Sequence, residues 1–182
     1  TKMSAGLLET MFGGYGAEIL YRPFLSSWAL GAEVFHVKQR EYDLRFDFRD
    51  YETVTGFVNF YYKEPRSKII ASLKMGRFLA KDSGFNLDLA RRFESGLRLG
   101  VFFAQTDISK AEFGEGSFDK GFYFQIPIDL FFNDHSKASF GTGLRPLTRD
   151  GAAFLENDFS LFGVTEQGQE LNITRDWDDL YQ

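Results

Sequence analysis

The fold this sequence predicts is an all-β, antiparallel, up-and-down barrel of outer-membrane type with about 8 to 12 strands, whole or as a fragment of a larger barrel. Three observations lead there. Strict apolar/polar alternation recurs, in Tyr42-Asp-Leu-Arg-Phe-Asp-Phe-Arg49, Phe85-Asn-Leu-Asp-Leu-Ala-Arg-Arg-Phe93 and Gly121-Phe-Tyr-Phe-Gln-Ile-Pro-Ile-Asp129. A period of 2 sends successive side chains to opposite faces of a strand. Aromatic residues make up 18% of the chain, 22 of them Phe, yet charged residues are still 26%; strands with one lipid face and one wet face have this mixture. Helical periodicity is nearly absent, and no run approaches the roughly 18 to 20 apolar residues of a membrane helix, so any spanning is by strands.

The 182 residues suit a single domain over 1–182, with 1–13 and 165–182 as peripheral segments. A net charge of −5 without a Lys/Arg stripe argues against a nucleic-acid partner. The absence of Cys removes thiolate metal sites, redox motifs and disulfides, and is compatible with export. The opening Thr-Lys-Met-Ser-Ala-Gly-Leu-Leu lacks the charged start and apolar core of a signal peptide, so the sequence reads as mature, trimmed or cut from a longer chain.

In chain order, residues 4–12 read as a short helix or a first strand, ended by Gly13-Gly14. Strands follow at 15–23, 27–38, 42–49, 52–63, 67–78, 85–93, 96–106 and 121–130, with weaker ones at 137–143 and 157–164. The connectors at 25–27, 64–66 and 94–96 are tight, while 107–120 and 133–157 are long and polar. Short turns on one rim and long loops on the other are the habit of outer-membrane barrels.

Each strand splits into two faces. In 27–38 the set Trp28, Leu30, Ala32, Val34, His36 opposes Gly31, Glu33, Phe35, Val37, Gln39. In 52–63, Val54, Gly56, Val58, Phe60 and Tyr62 oppose Thr53, Thr55, Phe57, Asn59 and Tyr61. In 96–106, Leu97, Leu99, Val101 and Phe103 oppose Arg98, Gly100, Phe102, Ala104 and Thr106. Gly31, Gly76 and Gly100 on the mixed face leave room in a crowded interior or let strands coil. Tyr21, Trp28, Tyr62, Phe78 and Phe93, near strand ends, fall where an interfacial aromatic girdle belongs. The competing fold is a soluble β-sandwich, in which Leu97, Leu99, Val101 and Phe103 are buried in one core; the barrel makes them an exposed apolar belt.

Several stretches go beyond pattern. They are Gly16-Ala-Glu-Ile-Leu-Tyr-Arg-Pro-Phe24, Trp28-Ala-Leu-Gly-Ala-Glu33 with Val37-Lys-Gln-Arg40, Phe48-Arg-Asp-Tyr51 with Val54-Thr-Gly56, and Gly76-Arg-Phe-Leu-Ala80. Asp88 with Arg91-Arg-Phe93 and Gly96, Phe113-Gly-Glu-Gly-Ser-Phe-Asp-Lys-Gly121 and Pro146-Leu-Thr-Arg-Asp-Gly151 continue the series. From about Gly14 to Leu155 the chain thus resembles the YjbH/GfcD-type exopolysaccharide and group 4 capsule biosynthesis proteins of Gram-negative bacteria. The resemblance implies a β-barrel in the outer membrane, with the periplasm as the alternative location. Its implied partners are outer-membrane lipid, polysaccharide and other capsule or exopolysaccharide secretion proteins. Family members are much longer, so the chain has the look of a C-terminal portion.

Candidate contact residues follow from the faces. Glu33, Asn59, Tyr61, Lys74 and Asp88 project inward, as do Arg92, Arg98, Tyr123, Gln125 and Asp129. They form a sugar track or a satisfied interior network of opposite charges. Tyr61, Phe102 and Tyr123 offer rings to pyranose faces. Before the strand at 121 lies a loop of Phe113, Gly114, Glu115, Gly116, Ser117, Phe118, Asp119 and Lys120. Its glycines permit left-handed backbone, and it either folds inward to meet glycan or packs on itself at the rim. Arg145, Arg149 and Asp150 bind an acidic polymer or pair within a turn. The expected role is non-enzymatic, in export or assembly of the polysaccharide. The soluble alternative is a periplasmic module that binds polysaccharide or a secretion partner. A Ser/His hydrolase would have to draw on His36 or His135, the only two His; His36 has outward parity and His135 has no partner identifiable by spacing. Two His without Cys give no metal-ligand spacing, so neither metal nor cofactor is expected.

Overall fold

In the computed structural model the described residues are 1–43, 45–93, 95–108, 118–128, 139–144, 151–156 and 159–167. Among the described residues nine antiparallel strands form one sheet, each bonded to the next in chain order. They are β1 (Lys2–Leu7), β2 (Phe12–Tyr21), β3 (Trp28–Arg40), β4 (Phe48–Lys63), β5 (Ile69–Arg77), β6 (Ser83–Arg92), β7 (Arg98–Thr106), β8 (Asp119–Pro127) and β9 (Ser139–Leu144). A helix, α1 (Leu161–Gln167), follows. The all-β, up-and-down meander is thus present, but the predicted barrel is not closed. Among the described residues β1 pairs only with β2 and β9 only with β8, and the inner side of β1 is met by the chain at Phe159, whose carbonyl accepts from Lys2 Nζ at 2.7 Å.

The sheet is inverted relative to a soluble core. Along the 16 residues of β4, Thr53, Thr55, Phe57, Asn59 and Tyr61 are buried, while Val54, Val58, Phe60 and Tyr62 are exposed. Asn59 is 1% exposed and its neighbour Val58 56%. The same parity holds in β3, where Phe35 and Val37 are buried but Leu30 and Val34 are not. In β7, Leu99 and Val101 are exposed and Phe103 half-buried, as is Leu97 just before the strand, which is not the single buried core a sandwich requires.

Small residues let the inner face curve inward. Gly76 stands opposite Phe57, and a Cβ there would run into the carbonyl of Gly56. Gly100 stands opposite Tyr123, whose ring covers it. An aromatic lying across a cross-strand glycine both fills the gap and fixes the register.

Four expectations are corrected. The alternation at 42–49 is not a strand: β3 runs to Arg40, β4 starts at Phe48, and the two pair there across an irregularity in register between Lys38 and Arg40. The intervening residues turn because the Asp43 carboxylate accepts from the Arg45 amide at 3.1 Å and Glu41 N donates to Asp47 O at 3.0 Å. Local side-chain bonding of this kind competes with ladder pairing. Second, the strand expected at 157–164 is not present among its described residues, since Leu161–Gln167 is helical. Third, Phe78 is fully buried rather than part of a girdle, because it lies on the inner parity two residues past Gly76. Tyr21, Trp28 and Tyr62 do cluster outside, with the Tyr21 and Trp28 rings 6.0 Å apart and Trp28 paired with Tyr62. Fourth, the rims are not cleanly divided: 22–27, 64–68 and 93–97 are short connections on one rim, but the longer 128–138 joins β8 to β9 at that same rim. The open choice at 4–12 resolves as strand β1 followed by a turn, with Leu8 and Glu9 amides donating to Phe12 O.

After β9 the chain returns as a strap across the inner face. Leu79 N donates to Ala153 O at 3.0 Å, and Ala152 N donates to Asp82 Oδ2 at 2.9 Å. Phe154 packs on Phe57 and Phe78 at 5.1 and 4.8 Å, joining a core with Ala104 and Ala152. A second core of Phe35, Val37 and Leu79 takes in Ala153 and Leu155.

Candidate functional site

Toward the rim of the short turns the inner face becomes polar. Glu18 on β2 and Glu33 on β3 are cross-strand partners, so two carboxylates share one face at close range. Cations offset them: Lys2 Nζ lies 3.7 Å from Glu18 Oε2, and Lys74 Nζ lies 3.1 Å from Glu33 Oε1. Asn59 Nδ2 donates to the same Glu33 oxygen at 3.3 Å. Lys74 also lies over the rings of Phe57 and Phe154, at 6.0 and 5.6 Å, which joins this network to the apolar core.

α1 sits on this network. Leu161 N donates to Glu18 Oε1 at 2.8 Å. The Phe162 ring stacks on Tyr61 with centroids 3.8 Å apart and planes 4° from parallel. One helical turn on, Glu166 Oε1 accepts from Arg22 at 2.8 Å and Glu166 Oε2 lies 3.6 Å from Lys63 Nζ. Arg22 further donates to Thr165 Oγ1 at 3.0 Å, and its guanidinium lies 5.4 Å from the Phe162 centroid.

A second cluster lies along β6 to β8. Tyr123 OH donates to Asp88 Oδ1 at 3.1 Å, Arg98 approaches the same carboxylate at 4.0 Å, and its guanidinium lies 5.6 Å from the Tyr123 centroid. Arg98 has Arg92 as its Cα partner on β6 and Gln125 on β8.

The inward residues predicted from parity therefore fall into two groups. Glu33, Asn59, Tyr61 and Lys74 lie under the strap, and Asp88, Arg98 and Tyr123 bond one another, with Arg92 and Gln125 alongside. Of the loop, Phe118 packs on Phe103 at 4.9 Å, Asp119 is buried, and Lys120 lies 4.7 Å from the Phe118 centroid. Phe113, Gly114, Glu115, Gly116, Ser117, Asp129, Arg145, Arg149 and Asp150 lie outside the described residues, as does His135. His36 is on the outer face, its ring 5.4 Å from that of Tyr15. Glu18, Arg22, Lys63, Phe162 and Glu166 are not among the candidate contact residues of the sequence, although Glu18 and Arg22 lie in the stretch Gly16 to Phe24. Glu18 and Arg22 were accessible by extending inner parity along β2. Phe162 falls in the expected strand 157–164 and Glu166 in the expected peripheral segment 165–182, so their four-residue spacing is not legible as a helix.

A family model described as "Exopolysaccharide biosynthesis protein YbjH" matches residues 1–167. The chain is also 42% identical over 164 residues to "Uncharacterized lipoprotein YjbH" of Escherichia coli (strain K12), a match that covers 88% of this chain and 24% of that relative. The chain thus spans about a quarter of the length of that relative. No solved structure matches it.

Proposed function

The chain belongs to the YjbH exopolysaccharide biosynthesis family, and from that premise we propose that its sheet is part of an outer-membrane β-barrel wall whose non-catalytic role is to help exopolysaccharide or capsule cross, or assemble at, the outer membrane. The observation that carries this reading is the inverted polarity of the sheet. Val34, Val58, Leu99, Val101 and Phe122 turn outward and exposed, while Glu18, Glu33, Asn59 and Lys74 are held inside. In water such an apolar belt is costly at about 25 cal/mol per Å² of apolar surface; against acyl chains it costs nothing, and the ion pairs are kept away from lipid. Tyr21, Trp28 and Tyr62 supply interfacial rings on the outer surface near one rim.

On this reading the free sides of β1 and β9 pair with further strands, because an unpaired edge is not tolerated in hydrocarbon. The partners are lipid outside, polysaccharide inside and other secretion proteins at the rims. The lipoprotein name of the relative favours a membrane-attached setting. Heat-modifiable migration tests the proposal: the full-length protein, refolded into detergent, should run faster unboiled than boiled. A monomer that stays folded and soluble without detergent overturns the membrane reading.

A further inference from the structure

We infer that α1 occupies a subsite for an acidic sugar unit, and that the glycan takes the place of this helix on Tyr61 and Arg22. The inference deepens the proposed function and rests on its claim that the inner face meets polysaccharide. Two features of α1 define what the sheet recognises beneath it. A flat ring, Phe162, lies parallel on Tyr61 at 3.8 Å, and a carboxylate, Glu166, is bound by Arg22 at 2.8 Å with Lys63 at 3.6 Å. Arg22 touches both features, since its guanidinium also lies 5.4 Å from the Phe162 centroid. A uronate-type pyranose brings the same pair, an apolar ring face that stacks on an aromatic and a carboxylate that accepts from a guanidinium fork. A neutral sugar supplies only the first.

The helix is suited to leave. Seven residues are too few to hold helical structure without tertiary support, and its contacts with the sheet include one ring stack, one cation–π contact and polar pairs. The preceding residues, 152–155, are anchored in the apolar cores. Release of 159–167 can therefore occur while the rest of the strap stays seated, because local opening starts where buried apolar contacts are fewest. An internal occupant lowers the apparent affinity for its competitor by the fraction of molecules in which the site is vacant.

The test is calorimetric binding of oligogalacturonate, with maltoheptaose as the neutral control, to full-length protein in whichever solvent keeps it folded. Glu166→Gln and Phe162→Ala should each raise the affinity for oligogalacturonate at least about fivefold, as the vacant fraction rises. Tyr61→Leu added to Phe162→Ala should abolish that gain, and maltoheptaose should show none. Unchanged affinity in Glu166→Gln, which keeps the shape of the side chain, overturns the inference, as does an equal gain for maltoheptaose or no binding in any variant. Gel migration separates the two claims: heat-modifiable protein with flat affinities leaves the barrel wall standing and removes only the sugar subsite.

Discussion

The two ends of the strap meet the same sheet through different chemistry. At residues 152–155 the contact is dry: Phe154 sits between Phe57 and Phe78, and the Asp82 carboxylate fixes the Ala152 amide. At 159–167 it is mixed: the Phe162 ring stacks on Tyr61, Glu166 joins Arg22 and Lys63, and Lys2 holds the Phe159 carbonyl. Burying a ring of Phe size contributes about 1.5–3 kcal/mol; the Arg22–Glu166 pair is itself mostly buried, at 14% and 15% side-chain exposure, so its attraction is set against the desolvation of both charges. The difference lies in the ion pairs, which among these contacts hold the 159–167 end.

Breaking the dry end should therefore cost most. Phe78→Ala removes a fully buried ring and should lower stability by about 3–5 kcal/mol, read from urea unfolding followed by tryptophan fluorescence. Asp82→Ala strands the Ala152 amide in a buried site and should cost about 1–3 kcal/mol in the same assay, with faster proteolysis of the strap. At the charged end, Arg22→Ala should cost about 1–3 kcal/mol, because it takes the guanidinium from a mostly buried Glu166 carboxylate; a loss as large as that of Phe78→Ala would erase the contrast. Outside both ends, Leu25 holds φ 57 at an exposed turn, so Leu25→Gly should raise stability by about 0.5 kcal/mol through relief of left-handed strain.

The smallest effect is set by pH. Glu9, in the β1–β2 turn, accepts from the Glu156 amide, and burial is the main reason its carboxyl titrates above the ordinary 4.5. A carboxyl raised in the folded state binds protons more tightly there than in the unfolded chain. The stabilisation is full below pH 4.5 and is lost as pH rises through the raised value. Glu9→Gln should flatten that part of the stability curve, measured by melting at a series of pH values, because the amide oxygen can still accept from Glu156.

Much of the inner face was legible from alternation. Thr53, Thr55, Phe57, Asn59 and Tyr61 were grouped on one parity, and they are buried together. The opposite parity was legible as apolar, and it is exposed. Alternation failed at Tyr42 to Arg49, where the pattern is regular but Asp43 captures a backbone amide and the chain turns. It failed again within 157–164, where Phe162 lies on a helix rather than a strand. A pattern of eight residues fixes which side chains would share a face, not whether a neighbouring strand is there to pair with.

By itself the sequence determined the class of fold, the meander and the sidedness of the strands, because these depend on local chain geometry and on a period of 2. Only the tertiary structure decided that the sheet stays open between β1 and β9 among the described residues, that Phe78 turns inward, and that a strap lies across the polar face. Those features join residues far apart in the chain, as when Leu161 meets Glu18 across 143 positions. Contacts of that range are set by how the folded surfaces fit, and no local spacing encodes them.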